Sequence, residues 1–554
     1  MNSHLENLLR GFLGMFFLIF VCWLLSNNRK SINWKLVGMG IFAQVMFAMG
    51  VLHTTILGQP VFWLAFGLIV LYTMFNKFTQ TQQGKKVFTY DTTHLLMAIG
   101  WQVILFVGLI KAPAVFGKWS GLSIFLSCVI IIGLAFRMGK KHVELMKWSI
   151  LVSSIIICVS VYLQLCPPQI FKMILESVSD SFVDLINLSH KGTEFIFGEL
   201  AKLQNDSGNK VYDWAYVFGI QVLPNIIFFA ALSSILYYLG ILQKVVFVFA
   251  YLLNKLNISG AESLSTAANI FLGQTEAPLM IRPYLDKMTR SEILCIMIGG
   301  MANTAGSVLA AYVGFLGGAD IAQQHYFALH MLSQSIMSAP AAIVCSKILF
   351  PQTDHHLVSK DLTIPKEKLG DNFLDALSLG TTDGLKLAVN VGAMLIVFTA
   401  LMYVANALMG WVGGITHINE QISASTGGKY NTLSLQMVLG YVFSPVAWLI
   451  GVNSSDMVPI GQLLGEKTIL NEFVAYISLG EMKAKHVIQD PKSLLIATYA
   501  LCGFANFASI GIQIGGISQL APNQRRNLTE LGVKALIGGT IACLMCGCIA
   551  GALM

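Results

Sequence analysis

Two short polar tips, each carrying a glutamate, interrupt otherwise apolar stretches of the chain. Residues 273–276 read Gly-Gln-Thr-Glu and place an amide, a hydroxyl and the Glu276 carboxylate side by side, while Asn471 and Glu472 follow the apolar arm 458–469. A charged side chain at membrane depth costs roughly 2.5 to 3.5 kcal/mol on insertion scales, so it normally faces a cavity, a partner or a substrate. Two glutamates in matching settings therefore predict one shared binding site.

The composition indicates a helical membrane protein. Hydrophobic residues make up 55% of the 554 residues and charged residues 11%, against about 25% charged in ordinary soluble domains. Apolar runs near the ~20 residues that cross a bilayer recur along the chain, without the alternating strands of an outer-membrane barrel. The net charge of +7 is spread over connecting loops, which indicates membrane topology and argues against nucleic-acid binding. Most of the ten cysteines lie in apolar runs, where we expect them to pack.

The apolar runs before residue 167 predict six membrane spans, two in 1–53 and four additional ones in 54–170. Lys and Arg are concentrated in every second loop between them, which places the amino terminus outside by the positive-inside rule. The first run is followed by the basic pair Arg29 and Lys30 rather than by a cleavage site, so we expect a retained span and not a signal peptide. The four additional spans have an unassigned role, either peripheral scaffold and oligomer contact or a separate activity.

The segment 171–210 has a different character. Apolar residues such as Ile174 and Val178 recur at helical spacing opposite Glu176 and Asp180. This pattern predicts an amphipathic helix, which we expect to lie in the membrane interface. The alternative is an ordinary solvent-exposed helix.

Two similar halves follow, a first repeat at 211–352 and a second at 379–554, joined by a cytoplasmic linker at 353–378. Each half contains a span, two short apolar arms that meet at a polar tip, an interrupted helix and a further span. Arms too short to cross the bilayer predict a re-entrant hairpin, and the loop charges favour opposite orientations of the two hairpins. We therefore predict an all-α integral membrane protein, an inverted-repeat transporter with two re-entrant hairpins, two interrupted helices and about 12 transmembrane spans.

The interruptions lie at 299–307 and 503–509, where Gly, Asn and Ser replace apolar residues. An unwound segment frees backbone carbonyls and directs helix ends toward a ligand. Close helix packing through small residues is the alternative. Because an interruption follows a polar tip in both halves, the pattern favours a binding site.

These stretches resemble the concentrative nucleoside transporters. The resemblance covers 171–554, and 1–53 resembles the two opening spans of bacterial members. The motifs that carry it lie at 260–264, 269–279, 283–285, 288–289, 306–312, 338–340, 383–387, 471–476 and 503–515.

The resemblance implies a set of site residues. The nucleobase would face the first tip and the ribose hydroxyls the second, and the substrate-binding residues would be Gln274, Thr275, Glu276, Val308, Glu472, Phe504, Asn506 and Ser509. The sodium ligands would be Asn269, Leu272, Asn303 and Thr304, of which Leu272 and Thr304 would use backbone carbonyls. Family members often carry Ser or Thr at the position of Asn303. An amide oxygen can also ligate a hard cation, so sodium is favoured as coupling ion and proton coupling stays open.

The function implied is a cation-coupled symporter that imports nucleosides by alternating access. The resemblance also implies a homotrimer in the plasma membrane and favours a bacterial inner membrane. Its partners would be the nucleoside, sodium and the lipid bilayer, with no cofactor besides the coupling ion. A membrane-embedded nucleoside hydrolase that uses Glu276 and Glu472 as acid and base is an alternative from another class, and a passive channel is a third. The sequence does not distinguish purine from pyrimidine substrates.

Overall fold

A computed structural model of the protein describes residues 2–52, 79–82, 85–88, 167–201, 218–318, 320–354, 370–425 and 430–553. These residues belong to two compact units, one formed by 1–45 with 176–554 and the other by 46–175. The four spans predicted within 54–170 fall outside the described residues. Within that interval the structure describes an antiparallel pair of strands, β1 (Thr79–Gln82) and β2 (Lys85–Phe88).

The other described elements are helical. Before the first repeat they are α1 (Asn2–Leu24), α2 (Trp34–Leu52) and α3 (Pro167–Phe197), with 3-10 turns at Arg29–Ser31 and Gly198–Ala201. The first repeat comprises α4 (Phe218–Gln221), α5 (Leu223–Tyr238), α6 (Ile241–Asn254), α7 (Gly260–Ala268), a 3-10 turn (Ala277–Ile281), α8 (Arg282–Leu285), α9 (Arg290–Ala302), α10 (Gly306–Gly317) and α11 (Ile321–Leu349).

The second repeat comprises α12 (Phe373–Ile415), α13 (Ile418–Ser425), α14 (Leu435–Leu449), α15 (Met457–Ile469), α16 (Glu472–Ala484), α17 (Pro491–Leu501), α18 (Phe507–Leu520), a 3-10 turn (Pro522–Gln524) and α19 (Arg525–Leu553). Among the described residues, five helical stretches are long and apolar enough to cross a membrane: 219–238, 290–317, 321–349, 373–415 and 522–553. The re-entrant character of the hairpins and the number of about 12 spans stay predictions.

The amphipathic segment predicted at 171–210 is helical up to residue 197 as α3. Val183 and Ile186 are buried against the protein, and the Phe182 ring lies 4.7 Å from that of Phe229 on α5. Val178 is 50% exposed. The helix therefore keeps an uncovered apolar face, as an interfacial helix requires.

Polar caps start the first arm of the first hairpin and the helices that follow the second tip and the second interruption. Ser259 and Glu262 form a capping box at the start of α7, and Asn471 caps α16 by accepting a hydrogen bond from the Val474 N–H. Asn506 caps α18 in the same way. A helix that begins inside the protein cannot leave its first N–H groups to water, so these groups need partners within the protein. Helix α10 begins after Ala305 without a side-chain cap, and its Gly306 N–H donates to the Phe271 carbonyl at 3.1 Å instead.

Helices α5 and α12 pack closely through small residues. A Cβ atom added at Gly380 would lie 2.5 Å from Cβ of Ser234, and one at Gly384 would lie 2.8 Å from Cβ of Ala230. The Ser234 hydroxyl also donates to the Ala376 carbonyl at 2.8 Å. The hydrophobic effect gives little association energy between helices in lipid. Van der Waals contact between the closely approaching backbones stabilises the pair instead.

A buried ion pair holds the first hairpin to the long helix α11. The Lys347 ammonium contacts the Glu262 carboxylate, and both side chains are almost completely buried. Lys347 also donates to the Ser291 hydroxyl at 3.0 Å, which adds the start of α9 to the cluster. The pair therefore joins three elements of the first repeat at one point.

Removing one partner of this pair leaves a buried charge. We expect Lys347→Met to lower the free energy of unfolding by roughly 3 to 5 kcal/mol, and the double variant with Glu262→Gln to regain most of the loss. Thermal unfolding of the purified protein in detergent measures both. Lys386→Met is the matched control, since its pair with Asp383 is about 70% exposed on both sides. Equal losses in the single and double variants would contradict a stabilising pair.

Candidate functional site

A chain of hydrogen bonds connects the tip of the first hairpin to the tip of the second. The Gln274 amide donates to the Ser509 hydroxyl at 3.2 Å, and the Ser509 N–H donates to Asn506 Oδ1 at 2.9 Å. Asn506 Nδ2 donates to Glu472 Oε2 at 2.6 Å, and the Tyr312 hydroxyl donates to Glu472 Oε1 at 3.3 Å. The structure thus brings together four of the predicted substrate-binding residues from both repeats.

Glu472 is held rigidly in this chain. It is the first residue of α16, where a helix N-terminus favours negative charge, and it is only 2% exposed. The Tyr312 ring that donates to it stacks on Tyr476 with ring centroids 4.3 Å apart and meets Phe473 edge-on at 5.2 Å. Because its partners are fixed by packing, the carboxylate is presented in one orientation.

The first tip is more open. Gln274 is buried and its Oε1 receives no hydrogen bond from any described residue. Thr275 and Glu276 are exposed, and Glu276 Oε2 accepts from the Gly273 N–H at 3.2 Å. The Thr275 methyl packs beside α18, where a Cβ added at Gly516 would lie 3.0 Å from it. The tip therefore combines an unpaired amide oxygen with an accessible carboxylate.

Val308 and Phe504, the two remaining predicted substrate-binding residues, are buried, at 1% and 9% exposure. Val308 lies in the first turn of α10, and Phe504 lies in the interruption before α18. Val308 therefore lies just after the first interruption and Phe504 within the second. Their contact with a ligand stays a prediction.

The two interrupted helices cross at their breaks. Helix α9 ends at Ala302 and α17 ends at Leu501, and the Gln334 amide of α11 donates to the carbonyls of both Ala302 and Cys502, at 3.3 and 3.1 Å. Gly503 permits the close approach, because a Cβ there would lie 2.7 Å from the Ala302 carbonyl oxygen and its φ is +123°. The crossing satisfies carbonyls that unwinding has freed.

The predicted sodium ligands lie next to this crossing. Asn303 Nδ2 donates to the Gly299 carbonyl at 3.2 Å, and Asn269 packs against the same glycine, where an added Cβ would lie 3.3 Å from Asn269 Nδ2. The Gly306 N–H donates to the Phe271 carbonyl at 3.1 Å, which holds the hairpin against the break. The segments that carry all four predicted ligands are thus adjacent.

The donor set suits a hard cation. Asn269 is buried, and neither atom of its amide group has a hydrogen-bond partner among the described residues. In the same part of the structure, no N–H donates to the carbonyls of Leu272 and Thr304. Asn303 Oδ1 accepts from the Ser338 hydroxyl and keeps a second lone pair. Unpaired buried oxygens are costly unless a ligand binds them.

Sequence reasoning missed several residues of this site. Gln334, Tyr312 and Ser338 lie in it, yet each looks like an ordinary polar residue within a predicted span. Gln513 of α18 is fully buried, donates to the Met297 carbonyl at 3.0 Å and leaves its Oε1 without a donor among the described residues. Its position inside an apolar helix was the signal that could have pointed to it.

A helical membrane protein whose two repeats meet in a shared polar site has the architecture of a secondary transporter. Three family models match the chain: Na+ dependent nucleoside transporter N-terminus at 13–77, nucleoside recognition (Gate) at 219–319, and Na+ dependent nucleoside transporter C-terminus at 330–551. The chain belongs to the family of Na+-dependent nucleoside transporters. It is therefore a multi-pass transporter of the cell membrane and not an enzyme, and sodium dependence is a property named for its family.

Individual relatives agree with this assignment. An uncharacterised transporter of Haemophilus influenzae is 41% identical over 69% of this chain and 85% of its own length. The sodium/nucleoside cotransporter 1 of Rattus norvegicus is 35% identical over 83% of this chain and 67% of its own length.

Solved structures extend the similarity to nearly the whole chain. The transporter CNTnw in an inward-facing, substrate-bound state matches with a TM-score of 0.68 and 29% identity, covering 99% of this chain and 98% of that one. A double variant of the same transporter in an outward-facing state matches with a TM-score of 0.67, 29% identity and coverage of 99% and 97%.

The hydrogen-bond chain predicts the effect of neutralising the second tip. We expect Glu472→Gln to raise the nucleoside KM roughly ten- to hundredfold, because hydrogen bonds to a charged group contribute about 1.5 to 3 kcal/mol. Nucleosides without the 2′ and 3′ hydroxyls should lose little further affinity. Uptake of labelled nucleosides measures this, with Glu481→Gln as control, since Glu481 is 62% exposed at the other end of α16. Unchanged uridine affinity would contradict the role of Glu472.

The crossing predicts that Gly503 tolerates no side chain. We expect Gly503→Ala to lower the free energy of unfolding by about 1 to 3 kcal/mol, because it adds backbone strain and a clash. Thermal unfolding in detergent measures the loss. Gly515→Ala on α18 is the control, as a Cβ there meets no atom within 4 Å. Equal stability of the two variants would argue against the close approach.

Proposed function

We propose that the protein is a sodium-coupled symporter that imports nucleosides by alternating access. The hydrogen-bond chain from Gln274 to Glu472 is the observation that carries this proposal. It joins the tips of both repeats, so a ligand bound between them can connect the two halves. Secondary transporters bind substrate at such a repeat interface.

The chemistry of the two tips suits the two parts of a nucleoside. An amide such as Gln274 can donate to and accept from a base edge. The Glu472 carboxylate and the Asn506 amide suit vicinal hydroxyls, which donate to the one and accept from the other. An analogue without these hydroxyls would lack the charge-assisted hydrogen bonds to the Glu472 carboxylate, and this is the basis of selectivity for nucleosides.

The unpaired oxygens beside the first break support sodium as coupling ion. Asn269 and Asn303 would supply side-chain oxygens, and Leu272 and Thr304 would supply backbone carbonyls. A cation bound there holds the first hairpin to the interrupted helix, which prepares the first tip for the base. Coupling arises because substrate binding then depends on the cation.

Transport requires that the site open to each side in turn. Structures of CNTnw are described in inward-facing, outward-facing and intermediate states, which supports alternating access for this chain too. The hairpins and interrupted helices form the moving assembly, and α5 with α12 belong to the scaffold. Apolar residues of α12 such as Ile396 and Tyr403 are 74% and 69% exposed, and this face supports contact with lipid and with further copies in a homotrimer.

Uptake into proteoliposomes tests the proposal. With an inward sodium gradient we expect a labelled nucleoside to accumulate unchanged above its outside concentration, and an inside-negative potential should increase the rate, since each charge gains about 2.3 kcal/mol per 100 mV. Asn269→Leu should abolish sodium-driven uptake. Accumulation driven only by a proton gradient would assign proton coupling, and equilibration without any gradient would assign a channel.

A further inference from the structure

A single amide of helix α11 connects the breaks of the two interrupted helices. Gln334 is completely buried, and its Nε2 donates to the Ala302 carbonyl at 3.3 Å and to the Cys502 carbonyl at 3.1 Å. A carbonyl oxygen can only accept, so the orientation of the amide is fixed and each of its two N–H groups serves one break. Its Oε1 receives no hydrogen bond from the part of the chain that the structure describes. The polar contacts of this amide are therefore those to the two breaks.

The two carbonyls stand directly before two predicted binding regions. Asn303, a predicted sodium ligand, follows Ala302 in the chain. Phe504 lies two residues after Cys502, and its carbonyl accepts from the Asn506 N–H at 2.9 Å. Asn506 is also the residue whose side chain donates to the carboxylate of the second tip. The shared amide thus joins the predicted cation region to the predicted ribose region through a few covalent neighbours and hydrogen bonds.

One other side chain contacts both carbonyls, but it cannot replace this amide. Cys543 Sγ of α19 lies 2.9 Å from the Cys502 carbonyl and 3.6 Å from the Ala302 carbonyl. A thiol is a weak donor with one hydrogen, so it serves one of the two carbonyls at a time. An amide with two N–H groups serves both at once and so fixes their relative position. Gln334 is therefore the strong donor that the two breaks share.

We propose that Gln334 is a positioning residue that transmits cation binding at the first break to ribose binding at the second. This inference rests on the proposed function, in which sodium prepares the first tip, and it adds a route to the second tip. A cation that orders the first break also fixes the Ala302 carbonyl, and the shared amide then fixes the Cys502 carbonyl. Because the second break is then already ordered when the nucleoside arrives, the ribose binds more tightly.

The sodium dependence of nucleoside binding measures this route. We expect sodium to tighten uridine binding by the wild type about fivefold or more, and to tighten binding of 2′,3′-dideoxyuridine less, because that analogue lacks the hydroxyls for the second tip. Gln334→Met keeps the approximate length of the side chain but has no donor, so it should lower the sodium effect on uridine to that on the analogue. Nucleoside-induced thermal stabilisation of the purified protein, with and without sodium, measures both.

A second glutamine of the same helix provides a matched control. Gln324 of α11 is buried, its Nε2 donates to the Gly318 carbonyl at 2.7 Å, and its Oε1 has no donor among the residues that the structure describes. Gln324→Met therefore removes a similar hydrogen bond away from the breaks and should keep the sodium effect of the wild type. An unchanged sodium effect on uridine in Gln334→Met, an equal reduction for uridine and the analogue, or an equal reduction in both variants would each overturn the inference.

A measurement on the wild type does not depend on the stability of a variant. Sodium alone, compared with choline at the same ionic strength and without nucleoside, should slow hydrogen exchange of the backbone amides at 503–509. All four predicted sodium ligands lie in the first repeat, so this protection would have to cross between the breaks. Protection confined to the first repeat would overturn the inference while leaving the proposed function intact. Failure of sodium-driven nucleoside uptake by the wild type would overturn the proposed function instead.

Discussion

The structure depends on one constraint: backbone carbonyls freed by unwinding a helix inside the membrane must find donors within the protein. Two helices are interrupted, and their breaks are placed against each other so that Gln334 donates to both Ala302 and Cys502. Cys543 Sγ lies 2.9 Å from the Cys502 carbonyl and adds a weak donor from the last helix. At the crossing, Gln334 and Cys543 therefore supply hydrogen-bond donors to the carbonyls of both irregular segments.

Around this crossing, the polar groups divide into those that are already paired and those that are not. Glu472 has fixed partners in Asn506 and Tyr312, whereas Gln274 Oε1 and the amide of Asn269 have none among the described residues. Paired groups set the geometry of the site, and unpaired groups provide the free energy that a ligand gains on binding. The second tip is thus held in place by hydrogen bonds, whereas the first tip has polar atoms that are available to a ligand.

Much of this organisation could be predicted from the sequence, because polar residues in an apolar background are easily recognised. Both interruptions could be predicted, since Gly, Asn and Ser are conspicuous in a span, and α9 and α17 indeed end at Ala302 and Leu501. The roles of Glu276 and Glu472 at the two tips stay predictions. The bridge made by Gln334 could not be predicted, because it depends on how two helices cross and not on the spacing of residues in one. The pair of Lys347 with Glu262 could not be predicted either, because only the structure shows whether a buried charge has a partner.

Gln334, which donates to the carbonyls at both breaks, also constrains the order in which the protein can fold during synthesis. Gln334 lies 168 positions before Cys502, and Cys543 lies 241 positions after Ala302. As the nascent chain leaves the ribosome, the amide that the second break will need is therefore in the bilayer long before that break is synthesised. The chain must close long loops before these distant contacts form. Until the final helix is inserted, the first half is therefore packed without its final hydrogen-bond partners. Premature termination would thus yield a membrane segment with an incomplete core and not half of a working protein.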